Sequence, residues 1–331
     1  MLALQINAPA ADASTTRVVE ITSPTPRPGE VSIDIAYAGV NFKDVMTRRG
    51  DPGYAPDGWP LVPGFEVAGI IRALGPGVAN FDVGDKVAAN VLSGGLAEVV
   101  VTPANLVARV PEGLDLASAA AAPLMLSTAI LMLKDAAQLR AGERVFMHSA
   151  SGGVGSVAAQ VARALGSGVR VGTVARPNNV ESARAAGWDI ILPQDGNLLN
   201  AAREASTDGF DVILDPTGTT SLDFDLKIAA PGARVILFGN STGASPSALP
   251  PFASLVRGNI GLVGFSISAL CQADPARVTN ALAAGLMMLK DGRVRLPLTV
   301  IDSLGETPAV HDLLATRAGQ GKYVTRIAST L

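Results

Sequence analysis

Cysteine is almost missing from this 331-residue chain: Cys271 is the only one. A single thiol excludes an internal disulfide and any zinc site built from several thiolates. Histidine is nearly as scarce, with only His148 and His311. A catalytic zinc takes about three protein ligands and a structural one four, so these residues supply neither. Charged residues make up only 17% and the formal net charge is −3, which leaves no basic field for nucleic acid. No apolar run approaches the roughly 18–20 residues of a membrane span. The opening "MLALQINAPAADAST" has neither the basic start nor the long apolar core of a secretion signal. The expectation is a cytoplasmic protein with no membrane partner.

Apolar residues, by contrast, reach 48%, and there are 35 glycines. A chain of this length and composition has room for two domains, each with its own core. The first 120 or so residues read as β-rich. "EVSIDIAYAGV" alternates apolar and polar positions, and "VAGIIRALG", "DKVAANV" and "LAEVVV" are short β-branched runs divided by turn residues. "LDLASAAAAPLMLSTAILMLKDAAQL" then shows helical periodicity, and strands and helices alternate from "RVFMHSA" to "ARVILFGN". That alternation indicates βαβ units and a parallel sheet buried on both faces.

The stretch "VFMHSASGGVGSVAAQVARALG" joins an apolar strand to a helix through a glycine-rich turn. Its pattern is A-x-G-x-x-G, with Ala150 in place of the usual first glycine, followed by Gly152 and Gly155. Gly152 lets the backbone approach a pyrophosphate, and Gly155 lets the helix sit close to the strand. The phosphates then meet the positive end of that helix. The next strand ends in "VGTVARPNN", with Thr173 and Arg176 but no Asp or Glu to hold a ribose 2′-hydroxyl. Arg176 either pairs with a 2′-phosphate, which selects NADPH, or is a solvated loop residue.

Together these features resemble the medium-chain dehydrogenase/reductase superfamily, and within it the zinc-independent quinone oxidoreductases and polyketide enoyl reductases. The resemblance is carried by "PGEVSIDIAYAGVNFKDVMTRRG", "VPGFEVAGIIRALGPGV", "VGDKVAA", "AAPLMLSTA", "SASGGVG", "DPTG" and "FGNSTG". It implies an α/β protein: a GroES-like β-barrel catalytic domain, residues 1–122 completed by 263–331, and a Rossmann domain with a doubly wound parallel sheet, residues 123–262. It also implies a homodimer paired through "LVGFSIS". Zinc-dependent relatives place a cysteine where this chain has Phe42 or Lys43 and a histidine where it has Phe65. Glu66 is then a structural or hydrogen-bonding residue, and no metal is expected. Without a metal, hydride addition to a quinone or an α,β-unsaturated carbonyl is the accessible chemistry, because charge goes to a delocalised enolate or phenolate.

The same resemblance assigns residues. Tyr54 and Asn41 stand at the catalytic positions: Tyr54 as a donor or stacking group, or else a turn aromatic; Asn41 as a partner for the carbonyl or the nicotinamide ribose, or else a turn residue. Ser151, Gly152, Gly153, Val154 and Gly155 form the phosphate turn, with Thr173 and Arg176 beyond it. Phe238, Gly239, Asn240 and Ser241 border the cofactor, Phe265 offers backbone groups to the carboxamide, and Thr128 lies near the nicotinamide or is a helix-interior hydroxyl. Lys322 reaches a phosphate or is a surface lysine; Lys43 is read as solvated, Asp44 as a loop anchor and His148 as a packed histidine. An enoyl-thioester reductase and a non-catalytic NADPH-binding protein are the alternatives. A lysine–aspartate proton-donor pair is not available, since Asn178 and Asn179 fill the lysine region and Asp189 stands alone.

Overall fold

The computed structural model describes residues 1–245 and 248–327. Contacts divide the chain into two units, Met1–Ser127 with Ile267–Gly292 and the segment from Leu296, and Thr128–Ser266 with Arg293–Arg295.

In the first unit the strand Glu30–Val40 organises the sheet. Its alternating residues bury Val31, Ile33 and Ile35, and its eleven residues are enough to serve three partners. Glu66–Leu74 runs antiparallel along it, Val99–Pro103 pairs with its first half, and Lys322–Arg326 pairs with its last four residues. Lys86–Asn90 and Val107–Arg109 extend the sheet beyond Glu66–Leu74, and Leu298–Ile301 extends it beyond Lys322–Arg326. The enclosed core joins Leu4, Val31, Ile33, Ile35, Val67, Ile71, Val87 and Leu96. Fully burying such a side chain stabilises by about 1.5–3 kcal/mol. The register Tyr323↔Val40 has a chemical consequence: it brings the start of the strand Lys322–Arg326 against the residue preceding Asn41.

The second unit holds six parallel strands in the order Ile190–Pro193, Arg170–Val174, Val145–Met147, Phe210–Asp215, Ala229–Leu237, Gly261–Gly264. Counted along the chain this is the doubly wound order 3-2-1-4-5-6. The central strands bury mainly apolar residues, with Phe146, Phe210, Ile213 and Val235 fully buried, and the buried Asp215 closes one of them. Between Val145–Met147 and Phe210–Asp215 the direction of winding reverses, and ligands of such sheets collect outside the carboxyl ends there. His148 follows one of these two strands and Asp215 ends the other.

The helical run expected around residues 114–139 is broken into Leu116–Ala120, Met125–Ile130 and a wider turn over Leu131–Ala136. Pro123 falls in the first gap and cannot supply a helical N–H. Among the described residues no helix is long and apolar enough to cross a membrane.

Candidate active site

The glycine-rich turn forms as the sequence predicts and shows how Ala150 is tolerated. Ser149 adopts a left-handed φ of 63°, and the Gly152 N–H donates back to its carbonyl at 3.1 Å. Gly155, the first residue of the helix Gly155–Ala164, has no room for a side chain, since a Cβ would lie 2.4 Å from Ser149 O. Ala150 is fully buried, and the neighbouring strand makes space for its methyl through Gly172, where a Cβ would meet it at 2.4 Å. Trp188 Nε1 donates to Ala150 O at 3.2 Å and Gly155 O at 3.0 Å and pins the turn from below. Ser151, Gly152, Gly153 and Val154 thus stand at the amino end of a ten-residue helix, a fit for phosphate.

The other expected cofactor residues fall into different settings. Thr173 is buried beneath the turn, its Oγ1 accepting from Gln194 Nε2 at 2.9 Å and Ser149 N at 3.4 Å. It supports the cradle from within, whereas Arg176, past the strand end, is exposed. Phe238 N donates to Asp215 O and Ser241 N to Pro216 O, at 3.0 and 2.8 Å, which ties the loop holding Gly239 and Asn240 to the end of the adjacent strand. The Asn240 amide is braced by Ala244 O and the Thr242 hydroxyl, and Phe265 N donates to Leu237 O. Thr128 is buried in the helix Met125–Ile130. Asp189, read as a lone carboxylate, accepts from Arg170 Nη2 at 2.7 Å.

Below the loops, at the winding reversal, His148 Nε2 and Asp225 Oδ1 are 2.8 Å apart, with Asp215 beside them, and all three residues are buried. Burial on its own pulls the imidazolium down, but the Asp225 hydrogen bond and the charges of Asp225 and Asp215 outweigh it, and the His148 pKa lies above its ordinary value. Desolvation and the Asp225 charge push Asp215 up to about 6. The packed role read for His148 agrees with this position.

The barrel unit carries the second constellation. Asn41 caps the helix Phe42–Arg49, its backbone N–H donating to Asp44 Oδ2 at 2.7 Å. Asp44 Oδ1 accepts from Gly64 N at 2.9 Å, so this buried carboxylate anchors two loops. Desolvation raises it to about 6, against the pull of those N–H groups and of Lys322. Glu66, fully buried, accepts from Leu124 N through Oε2, and from Asn41 Nδ2 and Lys322 through Oε1. The Lys322 ammonium also donates to Asn41 Oδ1 at 2.5 Å and Val40 O at 3.1 Å. Its three N–H donors are engaged inside the barrel, which corrects the phosphate role expected for Lys322: it is neither a phosphate ligand nor a surface lysine.

Lys43 needs a correction too. Its Nζ donates to Ser268 Oγ at 2.7 Å and lies 3.7 Å from the Phe65 ring centroid, and burial lowers its pKa. Nearby Cys271 is buried, its thiol pushed up to about 11 by desolvation, and so inert as a nucleophile. Tyr54 is half-buried on the loop after the helix, with its phenol pKa raised first by burial and then by Asp51.

The comparisons with known proteins agree with this fold. Residues 27–112 match the alcohol dehydrogenase GroES-like domain and residues 153–284 the domain described as zinc-binding dehydrogenase. The pig quinone oxidoreductase is 31% identical over 92% of this chain and 91% of its own length. The chain belongs to the medium-chain dehydrogenase/reductase superfamily. Within it, the chain is similar to a quinone oxidoreductase over nearly the full length of both. A Streptomyces venezuelae pikromycin polyketide synthase component is 36% identical over 94% of the chain, but the chain spans only 8% of that protein. It spans about half, 53%, of the human synaptic vesicle membrane protein VAT-1 homolog-like, at 34% identity over 68% of this chain. Among solved structures, that of mycobacterial Rv1454c complexed with NADPH matches with a TM-score of 0.89 at 27% identity, covering 98% of this chain and 99% of the other.

Superfamily membership raises the question of zinc. At the positions where zinc-dependent members keep ligands, Phe65 offers no donor atom and the Lys43 amine is engaged by Ser268. Both oxygens of Glu66 are taken by Lys322, Asn41 and Leu124 N. These residues do not fit a zinc ion. Sequence reading missed the joining of Asn41, Glu66 and Lys322, because Glu66 and Lys322 are 256 residues apart. A charged residue opening an otherwise buried strand, "KYVT", was the one available signal.

Proposed function

We propose that this chain transfers hydride from NADPH to a conjugated carbonyl acceptor, a quinone or an enone, without a metal. The observation that carries the reading is the combination of a fitted phosphate turn with a second strand followed by Arg176 and by no carboxylate. NADPH supplies the hydride when bound. Ser151 to Gly155 hold its phosphates, and Arg176 pairs with the 2′-phosphate. Tyr54 stacks on or donates to the substrate; its raised pKa keeps the phenol protonated and able to donate. The metal-free character of the barrel site favours acceptors whose negative charge spreads over a conjugated system. The polyketide synthase relatives support a second reading, an enoyl-thioester reductase. The strand Gly261–Gly264 ends its sheet and offers an edge through which two copies of the chain pair as a homodimer.

The test is anaerobic oxidation of NADPH, followed by loss of nicotinamide absorbance, with benzoquinone, phenanthrenequinone, a simple enone and crotonyl-CoA as acceptors. NADH and a chelator run in parallel. Turnover of quinone or enone that prefers NADPH and ignores the chelator is the expected result. Turnover of the thioester alone moves the protein to the second reading. Tight NADPH binding with no turnover marks a non-catalytic binding protein, and loss of activity with the chelator sinks the metal-free mechanism.

A further inference from the structure

Two lysines of the first unit are drawn away from water, and they are received differently. Lys322 meets the Glu66 carboxylate, Asn41 Oδ1 and Val40 O, all of them acceptors for an ammonium. Lys43, near the start of the helix Phe42–Arg49, has one hydrogen-bond partner: Ser268 Oγ, 2.7 Å away on the helix Ile267–Ala273. The Phe65 ring centroid lies 3.7 Å from its Nζ. Among the described residues no carboxylate comes within ion-pair distance of this amine. The acids nearest to it in sequence are already taken. Asp44 accepts from Asn41 N and Gly64 N, one at each oxygen, and Glu66 accepts from Lys322, Asn41 and Leu124 N. Cys271, the remaining ionisable neighbour, is a thiol that desolvation keeps protonated.

A buried charge is costly unless it is paired, and here only a ring face and a hydroxyl oppose that cost. The hydroxyl is the telling partner. A serine O–H donates to the lone pair of a free amine as readily as its oxygen accepts from an ammonium, whereas the ionised carboxylate beside Lys322 only accepts. Burial lowers the Lys43 pKa against the opposing charges of Asp44 and Cys271, in agreement with this setting. The side chain of Lys43 is still partly exposed, so a small molecule can reach it.

We propose that Lys43 is a modification site whose amine condenses with small uncharged aldehydes to form an imine. The free amine is the nucleophile. Its nitrogen attacks the carbonyl carbon, and the carbinolamine then loses the former carbonyl oxygen as water, which carries away both amine hydrogens. No oxidant or reductant takes part. The Phe65 ring gives an aromatic or alkyl substituent an apolar face to pack on. The site lies wholly within the first unit and is independent of dinucleotide binding.

The test treats the whole chain with limiting benzaldehyde and cyanoborohydride near neutral pH, so that any imine is reduced to a stable secondary amine. Peptide mass spectrometry then gives the labelling rate at every lysine and at the amino terminus. Lys43 is expected to label several times faster than the exposed Lys86, Lys134, Lys227 and Lys290, and Lys322 not at all. The lead should vanish as pH is raised to about 10.4, the ordinary lysine value. A lead that persists there reflects access alone and overturns the proposal. Ser268→Asp, at a partly exposed position, sets a carboxylate where the hydroxyl stood and should slow Lys43 to the rate of the exposed lysines. Equal rates at Lys43 and the exposed lysines in the wild-type chain overturn the proposal without any variant. A Ser268→Asp chain that labels Lys43 at the wild-type rate overturns it as well.

Discussion

The two units bury ionisable groups in different ways. In the barrel, Glu66 and Lys322 balance one another, and every oxygen of Glu66 has a donor. In the parallel-sheet unit, one imidazole faces two carboxylates, and Asp215 Oδ2 and Asp225 Oδ2 have no partner among the described residues. The two histidines make the contrast sharper. His311, in the first unit, is fully buried with no hydrogen bond at either ring nitrogen among the described residues; desolvation, with Arg48 nearby, lowers it to about 3. His148 is buried to the same degree and moves the other way because Asp225 and Asp215 face it. Burial alone does not decide the charge of a buried group; the sign of its neighbours does.

The hardest way to break this comparison is Glu66→Ala, which leaves the Lys322 ammonium buried without its counter-ion. A loss of about 3–5 kcal/mol is expected in the urea unfolding free energy. K322M/E66Q should recover most of it, and if Glu66→Ala is tolerated the pair is not the balance described above.

A smaller effect separates the two histidines by pH. A His311 whose folded value lies near 3 and unfolded value near 6.5 stabilises the neutral fold, and that contribution is lost as pH falls below 6.5. The loss is about 1.4 kcal/mol per pH unit in that window, and His311→Leu should flatten the slope in acid unfolding. The raised carboxylates act with opposite sign: Asp44 and Asp215, each at about 6, favour the protonated fold, and this contribution fades as pH rises from about 4 through 6. His148, raised likewise, loses its contribution as pH climbs above 6.5 through its folded value.

Asp225→Asn tests the acidic cluster directly. With its first carboxylate gone, desolvation is left less opposed, and the His148 pKa should drop in an NMR titration. An unmoved His148 would mean that Asp225 does not set its charge. The smallest expected effect belongs to the exposed Arg176. Arg176→Ala should raise KM for NADPH about fivefold, ~1 kcal/mol, with KM for NADH unchanged. Equal changes for both cofactors would remove the 2′-phosphate role.

The features legible in the sequence were those written in local spacing. The alternation in "EVSIDIAYAGV" and the switch to βαβ texture point to the two sheets, and "SASGGVG" marks the turn before the helix Gly155–Ala164. The capping by Asp44 follows from its place three residues beyond Asn41. Lys43 and Lys322 were misjudged for a common reason. A lysine in a turn or at a strand start reads as solvated, and only packing shows that Phe65 and Ser268 cover one and Glu66 receives the other. The same applies to Ala150, whose methyl is admitted by Gly172 in another strand.

By itself the sequence determined the periodicities, the glycine turn, the missing carboxylate near Arg176 and the scarcity of zinc ligands, because each depends on residues close together or on simple counts. Tertiary structure alone decided which charges meet. It set Lys322 on Glu66 through the pairing of Lys322–Arg326 with Glu30–Val40, and Asp225 on His148 through the packing of a helix beneath two strand ends. Electrostatic interaction inside a protein depends on distance and local dielectric, and neither can be read from the separation of two residues along the chain.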